Sequence, residues 1–160
     1  MNVPQLPAEE HAQCCWALAN CYCAAARQLL DAGASNTFMP SMFLLLHSFE
    51  LHLKAFLFSQ GMNDKQLRAI SHDLLACLRE CQIQGLSRHF RLAWSEQLQI
   101  ARLNRYYKNK EIEYFVPRAK SFGSVESLSV IVDRVSKGIF NAITVNTFRA
   151  MSQETQLGSQ

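Results

Sequence analysis

The sequence predicts an all-α fold, a bundle of about five helices, and three observations carry that expectation. Only six glycines and four prolines punctuate the 160 residues, and the prolines lie outside the long periodic stretches or at their starts; this favours a few long helices over many short strands. Apolar residues recur at spacings of three and four along most of the chain, the period of a single helix face. Residues 42–58 form the most apolar run, suited to a central helix around which the others wrap. With 49% apolar and 18% charged residues, the composition is globular, one domain over residues 1–150 followed by a frayed polar tail at 151–160.

Taken in order, Pro7 opens the first helix, and Glu9 and Glu10 place negative charge at the positive end of its dipole. Cys14, Leu18, Cys21, Ala25 and Leu29 make its expected inward stripe, widened by Trp16, Cys15, Ala19 and Cys23, and Gly33 its stop. Pro40 and Ser41 start the second helix and Gly61 ends it; Phe43, Leu46, Phe49, Leu53, Phe56 and Leu57 face the core. Residues 63–70 read as a short helix or turn. Ser71 is the expected N-cap of a helix over 72–82, buried through Leu74, Cys77, Leu78 and Cys81. Ser87 caps the next, with Phe90, Leu92, Trp94, Leu98, Ile100, Ala101 and Leu103 available for burial. Periodicity then lapses, and 104–123 reads as a long extended loop ending near Pro117 and Gly123. Ser124 caps the last helix, which runs to about Met151 with Leu128, Ile131, Val132, Val135, Ile139, Ala142 and Ile143 as its stripe.

The net charge of +3 is unevenly spread: two basic against four acidic groups in residues 1–60, five against four in 61–100, and nine against five in 101–160. The C-terminal excess hints at a phosphate-bearing partner. No secretory signal and no run of about 18 uncharged apolar residues is visible, so a cytoplasmic, membrane-free location with reduced cysteines is expected. Cys77 and Cys81 stand one turn apart, but no CxxC knuckle accompanies them. The six cysteines read as free thiols acting as small hydrophobes, and no metal or cofactor is expected.

Polar residues interrupt the greasy second helix. His47, Glu50 and Lys54 fall within about 60° of one another on a helical wheel. Two readings stay open. One is an exposed Glu–Lys pair worth a few tenths of a kcal/mol; the other is a half-buried pair beside His47, a polar site completed by a third group. In the second reading Ser71-His72-Asp73 supplies that group. A helix starting there sets free backbone N–H groups beside His72 to receive an anion, and an imidazole titrating near neutrality is a candidate catalytic base. The plain alternative is an ordinary cap with an exposed histidine. His52 lies across the helix from His47 and reads as a packing or surface residue.

Further on, Arg102, Arg105, Lys108, Lys110, Arg118 and Lys120 interleave with Tyr106, Tyr107, Tyr114, Phe115 and Phe122. Cations meet phosphates and exposed rings stack on unpaired bases, a weak form of the single-stranded RNA pattern; the alternative is that the rings plug the core under a loop. The candidate ligand-binding residues are thus His47, Glu50, Lys54, His72, Asp73, Arg105, Tyr107 and Lys108.

Glu50-Leu-His-Leu-Lys54-Ala on a long apolar helix, then Ser71-His-Asp-Leu74 opening the next, then a Tyr-rich segment and a final helix, resembles the HEPN superfamily over roughly residues 8–145. The resemblance implies an up-and-down bundle of four to five helices, a homodimer and a polar cleft at the dimer interface. It also implies either a metal-independent ribonuclease of toxin–antitoxin and phage-defence systems or a nucleotide-binding partner of a nucleotidyltransferase or antitoxin. The ribonuclease members carry Arg, four to six residues, then His. Here Arg68 and His72 are separated by three residues, and Arg134 is followed after six by Asn141, an amide that does not accept a proton near neutral pH. The expectation is a non-catalytic module that binds RNA or nucleotide. The alternatives are a ribonuclease using His72 with Arg68, Arg105 or Lys108, and a purely structural protein–protein interaction domain.

Overall fold

The computed structural model describes residues 7–33, 36–114 and 122–157, with side chains of the last helix described as far as residue 146. The described residues form six α-helices and a 3-10 turn, an all-α protein as expected with one helix more. Helix α1 spans Ala8–Asp31, α2 Phe38–Ser59, α3 Asp64–Ile70, α4 Leu74–Ile83, α5 Trp94–Lys108 and α6 Val125–Leu157. The 3-10 turn is Leu86–Arg88.

Helix α2 is the axis of the fold. Met42, Leu45, Leu46, Phe49, Leu53, Phe56 and Leu57 are buried along it, and α1, α4 and α6 all pack on it. Among the described residues it alone is long and apolar enough to cross a membrane, but most of it is covered by the other helices, as in the core helix of a soluble fold. Helix α1 lies antiparallel to it and very close: the Ser48 hydroxyl donates to the Ala19 carbonyl at 2.7 Å and the Cys15 thiol to that of Leu51 at 3.3 Å. This approach explains a correction. The buried face of α1 is Ala12, Ala19, Cys23 and Ala26, not the expected Cys14–Leu18–Cys21 stripe, of which Leu18 is exposed. Residues 12–26 carry no Asp, Glu, Lys or Arg, so periodicity does not choose a face; the bulky α2 does, by taking small residues where the two helices come closest. Helix α6 closes the other side. Its stripe from Leu128 to Ile143 is buried as expected, and the Trp16 indole donates to the Ser136 carbonyl at 3.1 Å.

Several helix boundaries differ from expectation for identifiable reasons. Gly33 and Gly61 sit at positive φ just past α1 and α2, as helix stops. Residues 63–70 are a true helix, because Asn63 and Gln66 close a reciprocal capping box. The cap of α4 is Asp73, not Ser71: its carboxylate accepts from the N–H groups of Leu75 and Ala76, both at 3.1 Å. Ser71 instead holds φ 58°, a conformation that favours glycine. Ser87 falls in the 3-10 turn and does not cap α5, which begins at Trp94 where Glu96 accepts from the Ala93 N–H at 2.7 Å. The intervening chain is pinned by Phe90 against α6, where a Cβ on Gly138 would lie only 2.7 Å from that of Phe90. Helix α5 then runs to Lys108 and takes Tyr106 and Tyr107 out of the expected loop, both buried. Ser124 accepts from the Ser127 N–H at 3.1 Å, and α6 continues to Leu157, past the expected end near Met151. Phe115, Arg118 and Lys120 lie outside the described residues.

Cys15, Cys23, Cys77 and Cys81 pack as small hydrophobes, whereas Cys14 and Cys21 are exposed, against expectation. Cys77 and Cys81 are fully buried, and burial pushes the Cys15 thiol up to about 12. His52 is likewise a packing residue, 0% exposed, with Nδ1 3.4 Å from the Ser48 hydroxyl and Nε2 without a partner. Burial, which disfavours the imidazolium, lowers its pKa from 6.5 to about 4. The unfolded chain therefore takes up a proton that the native protein refuses between these values, and His52 lends stability that is full above pH 6.5 and is lost as pH falls towards 4. His52→Leu is expected to flatten the loss of stability between pH 6.5 and 4, by up to about 1.4 kcal/mol per pH unit, and to leave the protein at least as stable at pH 7. Urea unfolding across that range checks it; an unchanged slope refutes the assignment.

Candidate functional site

Glu50 is the centre of a polar cluster built where α2, the α3–α4 turn and α5 meet. It sits on the central helix beside the buried Phe49 and Leu53, so the carboxylate is carried into the core with its helix and is only 2% exposed. This excludes the reading of Glu50 and Lys54 as a surface pair. Lys54, one turn on, donates to Oε1. Oε2 accepts the Tyr107 hydroxyl at 2.6 Å and His72 Nδ1 at 3.1 Å. His47 Nδ1 stands 3.0 Å from the Tyr107 oxygen and 3.9 Å from Oε2. The sequence-derived stripe and the imidazole after Ser71 are thus brought together, and Tyr107 joins them from α5.

The donor pattern fixes the tautomers. A carboxylate only accepts, so the neutral His72 ring carries its proton on Nδ1 and leaves Nε2 bare. Tyr107 spends its one proton on Glu50, so His47 Nδ1 donates to the phenol oxygen. Electrostatics follow the same logic. Burial alone would raise the Glu50 pKa; hydrogen bonds from Lys54, Tyr107 and His72 outweigh it, and the carboxyl is held below its ordinary value. Burial, reinforced by the Glu50 charge, pushes the Tyr107 phenol well up. Burial lowers the His47 pKa, against the pull of Glu50.

Next to His72, Asp73 and Asn104 form a second polar knot. The buried Asn104 donates to Asp73 at 2.9 Å and accepts from the Leu74 N–H at 2.8 Å, and Lys108 pairs with Asp73 at 3.1 Å. Burial would raise the Asp73 pKa, but bonds from Ala76, Asn104 and Lys108 bring it down. The first amides of α4 are therefore all occupied by Asp73 and Asn104, and the anion expected at that helix start has no free N–H to meet. Asn104 was not singled out from sequence; its signal is an Asn between Leu103 and Tyr107 on the inward face of α5, a polar group that needs a partner there.

Not every candidate converges. Arg105 lies about 160° from Tyr107 around α5 and is exposed on the outer face, its guanidinium 5.2 Å from the Tyr106 ring centroid. Lys108 is at the edge of the site but already paired. The niche between Phe43, His47, His72, Tyr107, Lys110 and Glu113 has a volume of about 50 Å³. That admits water and not a nucleobase, since drug-sized ligands take several hundred Å³. His72 is the accessible member, with 46% of its side chain exposed.

Removing a buried ion's partner leaves the other unpaired, so Glu50→Ala is expected to destabilise the fold by about 3–5 kcal/mol, and Tyr107→Phe by about 1–3 kcal/mol. Because the folded Glu50 pKa lies below its unfolded value near 4.5, this stability is present above that value and is lost as pH falls through the folded one. Denaturant titrations at pH 7 check both; losses under 1 kcal/mol for Glu50→Ala would show that the cluster does not hold the helices together. Comparison with protein-family models, with curated proteins and with solved structures finds no match for this chain, so the meaning of the cluster rests on its own geometry.

Proposed function

We propose that the chain is a HEPN-like helical module that binds single-stranded RNA without cutting it, as a homodimer or as a partner subunit. The observation that supports this is the arrangement of α5. Its inner face locks Tyr107 and Asn104 into the Glu50 and Asp73 knots, and its outer face presents Arg102 and Arg105 to solvent. A niche of about 50 Å³ does not enclose a free nucleotide, so a strand lying on the surface suits the geometry better than a pocket ligand.

One observation favours a second reading, metal-independent cleavage. Glu50 holds His72 through Nδ1 and leaves Nε2 free on a side chain that is 46% exposed, the arrangement a general base needs. In that reading Lys108, beside Asp73, is the cation near the reacting phosphate.

A labelled single-stranded RNA titrated at two salt concentrations separates these. Binding is expected to weaken with salt, to weaken further in Arg105→Ala, and to weaken less in Lys108→Ala, because Asp73 already neutralises Lys108. The RNA is expected to stay intact in the presence of a metal chelator. Cleavage that disappears in His72→Ala would establish the second reading, and equal affinity in both cation variants would remove α5 from any phosphate role.

A further inference from the structure

Helix α5 was expected to bury Trp94 and Leu98, yet they are 73% and 41% exposed. Positions 94, 98, 101, 102 and 105 follow one another at helical spacing on the face turned away from Ile100, Leu103 and Tyr107. Leu98, Ala101, Arg102, Arg105 and the edge of Tyr106 line an open groove of about 510 Å³, ten times the niche at His72. Trp94 stands one turn before it on the same face.

The outer face of α5 also carries positive charge. Arg27, Lys54, Lys108, Lys110 and Arg134 each face a carboxylate. Arg102 and Arg105 do not, among the described residues, as is also true of Lys65, Arg68, Arg79, Arg88, Arg91 and Lys137; but these two stand together in one groove that no carboxylate lines. The one acidic residue on α5, Glu96, is turned towards Arg134. Two unneutralised guanidiniums beside an exposed indole leave apolar and cationic surface uncovered together. A base stacked on the indole and phosphates on the guanidiniums would satisfy both at once.

We infer that the outer face of α5 is the RNA platform: an unpaired base stacks on Trp94 while the following backbone runs down the groove with its phosphates on Arg102 and Arg105. This rests on the RNA-binding reading and gives it a place, about 16 Å from Trp94 to Arg105 along the helix and on the opposite side of α5 from the Glu50 cluster. Single strands are selected because a paired base offers no free face to the indole.

A fluorescein-labelled 12-nucleotide oligo(U) bound to the full chain tests it. Trp94→Ala is expected to weaken binding at least fivefold with the salt slope unchanged, and Trp94→Phe to keep most of the affinity. The double variant Arg102→Ala/Arg105→Ala is expected to lower the slope of log K against log salt by about 1.4, some 0.7 for each cation on a single strand. All three positions are exposed, so circular dichroism should show unchanged folding. If the unmodified chain binds oligo(U) and all these variants bind equally well, the platform is wrong and the RNA-binding reading survives. If the unmodified chain fails to bind at low salt, both fall. If a duplex of the same length binds as tightly as the single strand, stacking on Trp94 is refuted; if only a protein partner is lost from the variants, the face is a protein-docking surface instead.

Discussion

A carboxylate taken out of water sets the geometry of this protein. Removing Glu50 from solvent costs several kcal/mol, and the charge survives only because compensating groups reach it. Those groups come from different parts of the chain: Lys54 from the same helix, His72 from the turn before α4, Tyr107 from the last turn of α5. Each must be in place for the others to be satisfied, so the cluster specifies how the turn and α5 sit against α2. Generic apolar packing does not do this. Leucine and phenylalanine tolerate small rotations, whereas a phenol oxygen donating its proton to a carboxylate oxygen 2.6 Å away does not.

The Asp73–Asn104 knot works beside it by the same logic. A short helix, α4, would begin with unsatisfied amides in a half-buried place; Asp73 and Asn104 take them, and Asn104 ties the cap to α5. Helix α5 is thereby held along its inner face through Asn104 and Tyr107 as well as Ile100 and Leu103. That rigidity is what lets its outer face display Trp94, Leu98, Arg102 and Arg105 in fixed register. In the reading proposed above, such a row would stack bases and bind phosphates, and it is useful only if its spacing does not drift.

Where the sequence pattern was strong, it was legible. The last helix reads correctly from Leu128 to Ile143, and α4 from Leu74 to Cys81, because in both a single stripe stands against polar neighbours. The meeting of His47, Glu50 and Lys54 with His72 was also readable, since three polar residues on one side of a greasy helix need a partner. Illegible was what depends on partners distant in sequence. In α1 every face from 12 to 26 is uncharged, so only contact with α2 decides that Ala12, Ala19, Cys23 and Ala26 turn inward. In α5 the basic residues hid the period: Ile100, Leu103 and Tyr107 keep the stripe alive, while Arg105 and Lys108 read as loop. The exposure of Trp94 ran against its hydrophobicity, which is why it was expected in the core.

The same proton inventory that holds the cluster together also argues against its cutting RNA. Cleavage by a 2′-hydroxyl needs one group to accept that proton and a second to protonate the departing 5′-oxygen. His72 Nε2 meets the first requirement. For the second, Tyr107 is a poor acid, since burial and the Glu50 charge push its phenol well up and its proton is already committed to Glu50. His47 is driven towards its neutral form by burial, and its Nδ1 proton is engaged with the phenol oxygen. Lys108 is held by Asp73. None of these three is a free acid, which supports the proposed reading, in which the His72 imidazole is a hydrogen-bonding and packing group and strand binding is assigned to the other side of α5.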